Sequence, residues 1–171
     1  MVLSDCLFPE VQPFIRDIPH VDWISSGEVA NIQYFIDLLT VNFEEKKWEH
    51  VQIVLVILGF SDWLQGSHLD RVYLKYKALV NILRARLGDI KIVCCTNPPQ
   101  KGLVFEDGIK LNKTIVSIAQ ELKVEAYPLH RPFVKGRCIR PGYILHDFVI
   151  GRPGITVFVK LLKMFKSKLY L

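Results

Sequence analysis

The sequence predicts an α/β protein, a three-layer α/β/α sandwich on a five-stranded parallel sheet. Three observations predict it. First, the stretch His50 to Trp63 contains a nearly unbroken aliphatic run, Val51 to Leu58. A strand apolar on both faces suits the centre of a parallel sheet with helices over each side. Second, a similar run, Ile90 to Cys95, stops at Asn97-Pro98-Pro99. Third, segments with helical spacing alternate with strand segments along the whole chain, the pattern of βα units. Right-handed crossovers then favour the flavodoxin-like strand order 2-1-3-4-5.

In chain order, Val2-Leu3-Ser4-Asp5 reads as a short first strand, and Phe8 to Ile15 as a short helix broken by Pro13. His20 to Ile24 is a second strand. Ser25-Ser26-Gly27-Glu28 supplies a cap, and Val29, Ile32, Ile36 and Leu39 follow at helical spacing. After the central strand, Val72, Tyr76, Leu79, Val80, Leu83 and Leu87 mark a long helix that Gly88 stops. Leu111, Ile115, Ile118, Ala119 and Leu122 mark another, and Val124 to Leu129 a last strand. Arg131 to Pro153 reads as a long basic loop. The final helix carries Ile155, Phe158, Val159, Leu162, Phe165 and Leu169 on one face.

The 171 residues fit one domain, 1–171. A Met followed at once by a strand also fits a domain taken from a longer protein. No apolar stretch approaches the roughly 18 residues of a membrane span, and the first residues lack a secretory pattern. Cys6, Cys94, Cys95 and Cys138 have no zinc-ligand spacing. The expectation is reduced, mostly buried thiols in a cytoplasmic or nuclear protein with no metal or cofactor. Neither GxGxxG, GxxxxGK[ST] nor HExxH is present.

Charge is distributed unevenly. The formal net charge is +5, yet all of the excess lies after His130 and the rest of the chain is slightly acidic. Arg131, Lys135, Arg137, Arg140, Arg152, Lys160, Lys163, Lys166 and Lys168 face a single acid there, Asp147. Such a block suits a polyanion, although a solvated lysine face has the same composition. Phe133 and Tyr143 are candidate stacking platforms for bases, or else packing residues.

Open α/β sheets place function at the carboxyl ends of their strands. Four segments fall there: Ser4-Asp5-Cys6, Gly27, Gly59-Phe60-Ser61-Asp62, and the stretch around His146-Asp147 before the last helix. Their order resembles the blocks of the SGNH, or GDSL-like, hydrolase superfamily across nearly the whole chain. That resemblance implies a nucleophile in the first block, oxyanion donors in the second and third, and Asp-x-x-His in the last. The carried-over positions depart from the family. Cys6 stands where the nucleophilic Ser belongs, and Ser61 where the Asn donor belongs. With Asp147 as the family Asp, Ile150 takes the His position; with His146 as the family His, Tyr143 takes the Asp position.

A triad needs a nucleophile, a base and a group that orients the base. Ile accepts no proton, and Tyr is neutral at pH 7. Ser4, Asp5, Cys6, Gly27, Gly59, Ser61, Asp62, His146 and Asp147 are therefore read as relics, with none assigned as catalytic. A degenerate SGNH domain with a basic last third resembles the OSK domain of the Oskar germ-plasm proteins, an RNA-binding pseudoenzyme family. The resemblance implies mRNA as partner, ribonucleoprotein-granule proteins as neighbours, and a cytoplasmic or germ-granule location. Arg131, Lys135, Arg137, Arg140, Arg152, Lys160, Lys163 and Lys166 are the expected RNA contacts. Two other readings stand beside it: a divergent esterase or deacetylase with Cys6 as nucleophile and His146 as base, and a protein-interaction scaffold. His20, His50 and His68 read as structural, His130 as a spare base at the sheet edge, and Trp23, Trp48 and Trp63 as core or rim anchors.

Overall fold

A parallel sheet organises the chain, with β1 (Val2–Ser4) and β3 (Ile53–Ile57) side by side at its middle. The structure is a computed structural model that describes residues 1–5, 11–15, 18, 22–24, 31–41, 48–99, 104–146 and 149–167. Strands β2 (Trp23–Ile24), β4 (Lys91–Cys95) and β5 (Glu125–Tyr127) complete the sheet in the order β2-β1-β3-β4-β5, every pairing parallel. All five β3 residues are buried, as a strand covered on both faces requires. β5 is half-buried throughout, which fits its place at the edge.

Helix α1 (Gln12–Ile15) is one turn, and α2 (Ile32–Val41) precedes β3. A short helix α3 (Phe60–Leu64) and the long α4 (Leu69–Leu87) follow β3, α5 (Val104–Glu121) follows β4, and α6 (Arg152–Ser167) closes the described chain. α2 packs on α4 and α4 on α5, while α6 packs against α1. The core-facing residues of α4 are Val72, Tyr76, Leu79, Val80 and Leu83, the positions that the helical spacing marks. Tyr76, fully buried, donates its hydroxyl to the Val56 carbonyl at 3.1 Å and so satisfies its one polar atom. Gly88 ends α4 at φ 67°, and its N–H reaches the Arg84 carbonyl.

The α/β class and the parallel sheet flanked by helices stand as expected, with three local differences. The central run is strand only from Ile53 to Ile57, because the chain turns at Gly59 into α3. Arg131 to Pro153 is not a loop. It forms a 3-10 turn (Arg131–Phe133), then hairpins β6 (Val134–Lys135) with β7 (Cys138–Ile139) and β8 (Ile144–His146) with β9 (Val149–Ile150). Pro153 lies inside α6, in its first turn, where its missing N–H costs nothing. Several expectations fall outside the described residues: Phe8 to Glu10, His20, the cap Ser25 to Glu28, Val29, Lys168 and Leu169.

The hairpins are pinned to α6 by close approach at Gly154. A methyl group there would meet the Tyr143 carbonyl oxygen at 2.7 Å, Phe133 Cε1 at 2.8 Å and Ile150 Cγ2 at 2.5 Å. Phe133 and Ile150 are themselves buried. Gly154→Ala should therefore lower stability by roughly 1–3 kcal/mol, the usual cost of overpacking. The denaturant midpoint measures it, and an unchanged midpoint would mean that the hairpins are not held this tightly.

Candidate functional site

Asp5, the first residue past β1, is fully buried at the carboxyl edge of the sheet. Its Oδ2 accepts the backbone N–H groups of Phe60 at 2.9 Å and Ser61 at 3.0 Å. These are N–H groups of the first turn of α3, which have no partner within the helix. The turn that presents them needs Gly59, whose φ of 100° strains any residue with a Cβ. Asp5 therefore ties the end of β1 to the turn after β3.

Asp62, also buried, ties that turn to the helices. Its Oδ2 accepts the Ile32 N–H at 2.7 Å, at the start of α2, and its Oδ1 holds the Lys75 ammonium of α4 at 2.8 Å. A third connection comes from Asn97, two residues past β4. Its side-chain amide donates to the Leu58 carbonyl at 3.0 Å, and its backbone exchanges two bonds with the Asn112 side chain of α5, at 2.7 and 2.9 Å. Sequence reasoning missed Asn97, Asn112 and Lys75. Asn112 carried a signal, a polar residue beside Leu111 on an apolar helical face.

Past β5, His130 lies with Nδ1 2.7 Å from the Thr96 hydroxyl, and the same oxygen accepts the His130 backbone N–H. Burial, and then the Arg131 charge, push the His130 pKa down from its ordinary value. His50 and His68 have acidic neighbours on the surface, Asp22 and Asp70. Trp48 is buried and Trp63 packs against Phe60, as anchors do.

The positions that the sequence aligns with the SGNH blocks divide as follows. Asp5, Gly59, Ser61 and Asp62 come together at the sheet mouth, with Ser4 just before them. Cys6, Gly27 and Asp147 lie outside the described residues. His146 is the last residue of β8. Ile150 is 3% exposed and belongs to the core, so the register with Asp147 as acid has a packed aliphatic at the base position. Tyr143 meets Phe133 edge-on at 5.8 Å and lies under the Arg140 guanidinium. Phe133 is fully buried, which decides between its two readings in favour of packing: it is the packing centre between Tyr143 and Phe158. Among the described residues, no three His, Cys, Asp or Glu side chains form a metal-ligand group. No described helix is long and apolar enough to cross a membrane.

The comparisons with known proteins concern this architecture. No protein-family model and no curated protein matches the chain. Solved structures do. A GDSL-like lipase from Bacteroides thetaiotaomicron superposes with a TM-score of 0.71 at 15% identity, over 98% of this chain and 86% of that one. A member of the lipolytic G-D-S-L family from Veillonella parvula gives 0.66 at 12% identity, over 96% of each chain. The esterase EstA from a Pseudoalteromonas species gives 0.64 at 13%, over 99% and 97%. The fold is that of the SGNH lipases and esterases. At these identities the likeness establishes architecture alone.

Burial raises the Asp5 pKa from 3.8 to about 7, against the pull of its N–H donors. A carboxyl whose pKa is higher folded than unfolded binds its proton more tightly in the fold. Its stabilising contribution is thus full below about pH 4 and is lost as pH rises through about 7. Oδ1, with no partner among the described residues, is the oxygen left to carry that proton. Stability should fall between about pH 4.5 and 7.5 in the wild type, by a few kcal/mol at most. Asp5→Asn keeps an acceptor for the α3 N–H groups and should flatten that slope. Equal slopes in urea titrations of the two proteins would refute the assignment.

Proposed function

We propose that this chain is an SGNH-fold RNA-binding domain, a degenerate relative of ester hydrolases and of OSK type, acting in a cytoplasmic ribonucleoprotein. The carrying observation is the state of its cations. Lys75, Lys77, Lys91 and Lys110, on the N-terminal side, each hold a carboxylate within 2.5–2.8 Å. Arg131, Lys135, Arg137, Arg140, Arg152, Lys160, Lys163 and Lys166 take part in no ion pair among the described residues.

Helix geometry groups four of them. At 100° per residue, Arg152, Lys160, Lys163 and Lys166 lie within an arc of about 120° on α6 and span about 21 Å of its length. Arg152, Lys160 and Lys163 are exposed and Lys166 is half-buried. α6 contains no acidic residue. Unneutralised cations in a row attract a phosphate backbone and release its counterions, so binding weakens steeply with salt. Arg140 also supports the fold, since its Nε donates to the Val134 carbonyl at 3.2 Å and steadies the β6–β7 hairpin.

For that reason the decisive variant spares Arg140. Replacing Arg137, Arg152 and Lys163 with Glu should abolish ultraviolet crosslinking to labelled RNA at about 0.1 M salt while circular dichroism stays unchanged. Undiminished crosslinking would end this reading.

A second reading, a divergent esterase or deacetylase with Cys6 as nucleophile and His146 as base, is favoured by the likeness to esterases and by the Asp5 brace at the first block. Against it stands Tyr143, packed on Phe133 where a carboxylate would orient the base. If the second reading holds, hydrolysis of p-nitrophenyl acetate appears in the native protein and disappears in Cys6→Ala. If the first holds, both proteins leave the ester at its background rate.

A further inference from the structure

A cavity of about 200 Å³ opens at the amino ends of β4 and β5, the opposite edge of the sheet from Asp5. Lys91 begins β4, Glu125 begins β5, and their side chains pair at 2.6 Å on the cavity wall. Arg84, from the last turn of α4, and Lys123, two residues past the end of α5, supply the other charged groups. Neither the SGNH blocks nor the cationic row of α6 uses any of these residues.

Lys91 and Glu125 neutralise each other. Arg84 and Lys123 hold no carboxylate among the described residues, so the cavity carries two uncompensated positive charges. The backbone fixes both. Arg84 Nη2 donates to the Leu122 carbonyl at 2.6 Å, the residue beside Lys123. That bond caps α5 and uses one of the five guanidinium N–H groups. Lys123 then closes the helix end: its N–H reaches the Gln120 carbonyl at 3.2 Å, and the Val124 N–H reaches the Ala119 carbonyl at 2.9 Å, the Schellman pattern. The pattern puts Lys123 at φ 53°, the one left-handed position among the described residues that glycine does not fill. Glycine adopts that conformation without steric cost. A lysine there strains the helix end and sets an ammonium on the cavity.

We propose that this cavity binds a phosphate monoester. Size and charge select it. The volume lies below the roughly 300 Å³ at which drug-sized sites begin, so it takes a small group and not a base or an acyl chain. A monoester has its second pKa near about 6 and carries close to two negative charges at neutral pH, which match Arg84 and Lys123. Its three outer oxygens meet three donors: the Arg84 fork, the Lys123 ammonium, and the Lys91 N–H groups that Glu125 leaves over. A phosphodiester brings one charge, and a dicarboxylate divides its two between separate groups. The inference stands apart from the RNA-binding reading, because none of its residues belongs to the C-terminal cations.

Titration calorimetry of the full chain with methyl phosphate, dimethyl phosphate and malonate tests it, at about 50 mM salt to limit screening. Methyl phosphate should bind, and more tightly as pH rises from about 5 to about 7.5, because the ligand gains its second charge. The other two should bind about tenfold more weakly or worse. Lys123→Gly should lose about tenfold or more of the methyl phosphate affinity, the scale of one charge-assisted bond, while its urea midpoint rises as the left-handed turn relaxes. Lys123→Asn, which also tolerates that turn, repeats the measurement, and Arg84→Gln should show a similar loss. No binding of methyl phosphate, or equal binding of all three ligands, overturns the site. Undiminished binding by the Lys123 variants also overturns it, since the anion then sits elsewhere. An RNA octamer with a 5′-phosphate that outbinds its 5′-hydroxyl twin only when Lys123 is present identifies an RNA end as the source of the monoester. Equal binding of the twins, with methyl phosphate still held, identifies a small molecule.

Discussion

A single carboxyl group joins the middle of the sheet to its functional edge. Asp5 ends β1 and accepts two N–H groups from the turn after β3. The two strands already pair through Ser4 and Ile57, so the side-chain bonds continue the ladder after the backbone has turned away. Asp62 then passes the constraint to α2 and α4, and Asn97 passes it to α5. Three buried side chains hold three strand ends and four helices in one register. None is replaceable by a simple hydrophobe, because each satisfies backbone groups that would otherwise be buried without partners. Cutting the Asp62–Lys75 pair on one side would leave a buried charge, which costs more than the pair itself contributes.

The C-terminal third is built on a different principle. Its strands have only two or three residues each and do not form a sheet strong enough to stand alone. They hold their place because Phe133 and Ile150 are buried and because Gly154 lets the Tyr143 carbonyl come close to α6. Arg131, Lys135, Arg137, Arg152, Lys160 and Lys163 are exposed around this apolar footing. A basic surface of this kind needs rigidity beneath it, since charges on a flexible loop would lose order on every encounter with a polyanion.

How much of this was legible in the sequence follows from the range of the forces involved. Burial periodicity is local, so Val72 to Leu83 and the run around Ile53 to Ile57 announced a long helix and a central strand. The hairpins between Arg131 and Gly151 were not legible as such. Strands of two residues show no alternation, and their stability comes from α6, which lies further along the chain. Phe133 read as a platform for bases or as a packing residue, and nothing in its neighbourhood reports that Phe158 will pack against it. At the mouth, Asp5 and the Gly59-to-Asp62 turn were found through block spacing, whereas Lys75, Asn97 and Asn112 were not. Their roles depend on partners 13, 39 and 15 residues distant, a separation at which single-sequence patterns carry no signal.

The mouth and the cationic face answer to different variables, and this separates the two histories the chain can have. At the mouth Asp5 is fully buried, and its carboxyl responds to pH because burial acts on the charged form. Added salt barely reaches such a group. On the α6 face Arg152, Lys160 and Lys163 are exposed, and salt screens such charges within about 8–10 Å. A hydrolase that still used its mouth would show its activity governed by pH and hardly by ionic strength. A domain whose function has moved to α6 would show the reverse. The same scaffold permits both because the buried polar ties at the strand ends are needed to hold the sheet together whether or not an ester is ever cleaved there. The presence of Asp5 and Asp62 is thus what either history leaves behind. The weight falls instead on the C-terminal cations that hold no carboxylate among the described residues, and on Tyr143 and Ile150, the first packed on Phe133 and the second buried in the core.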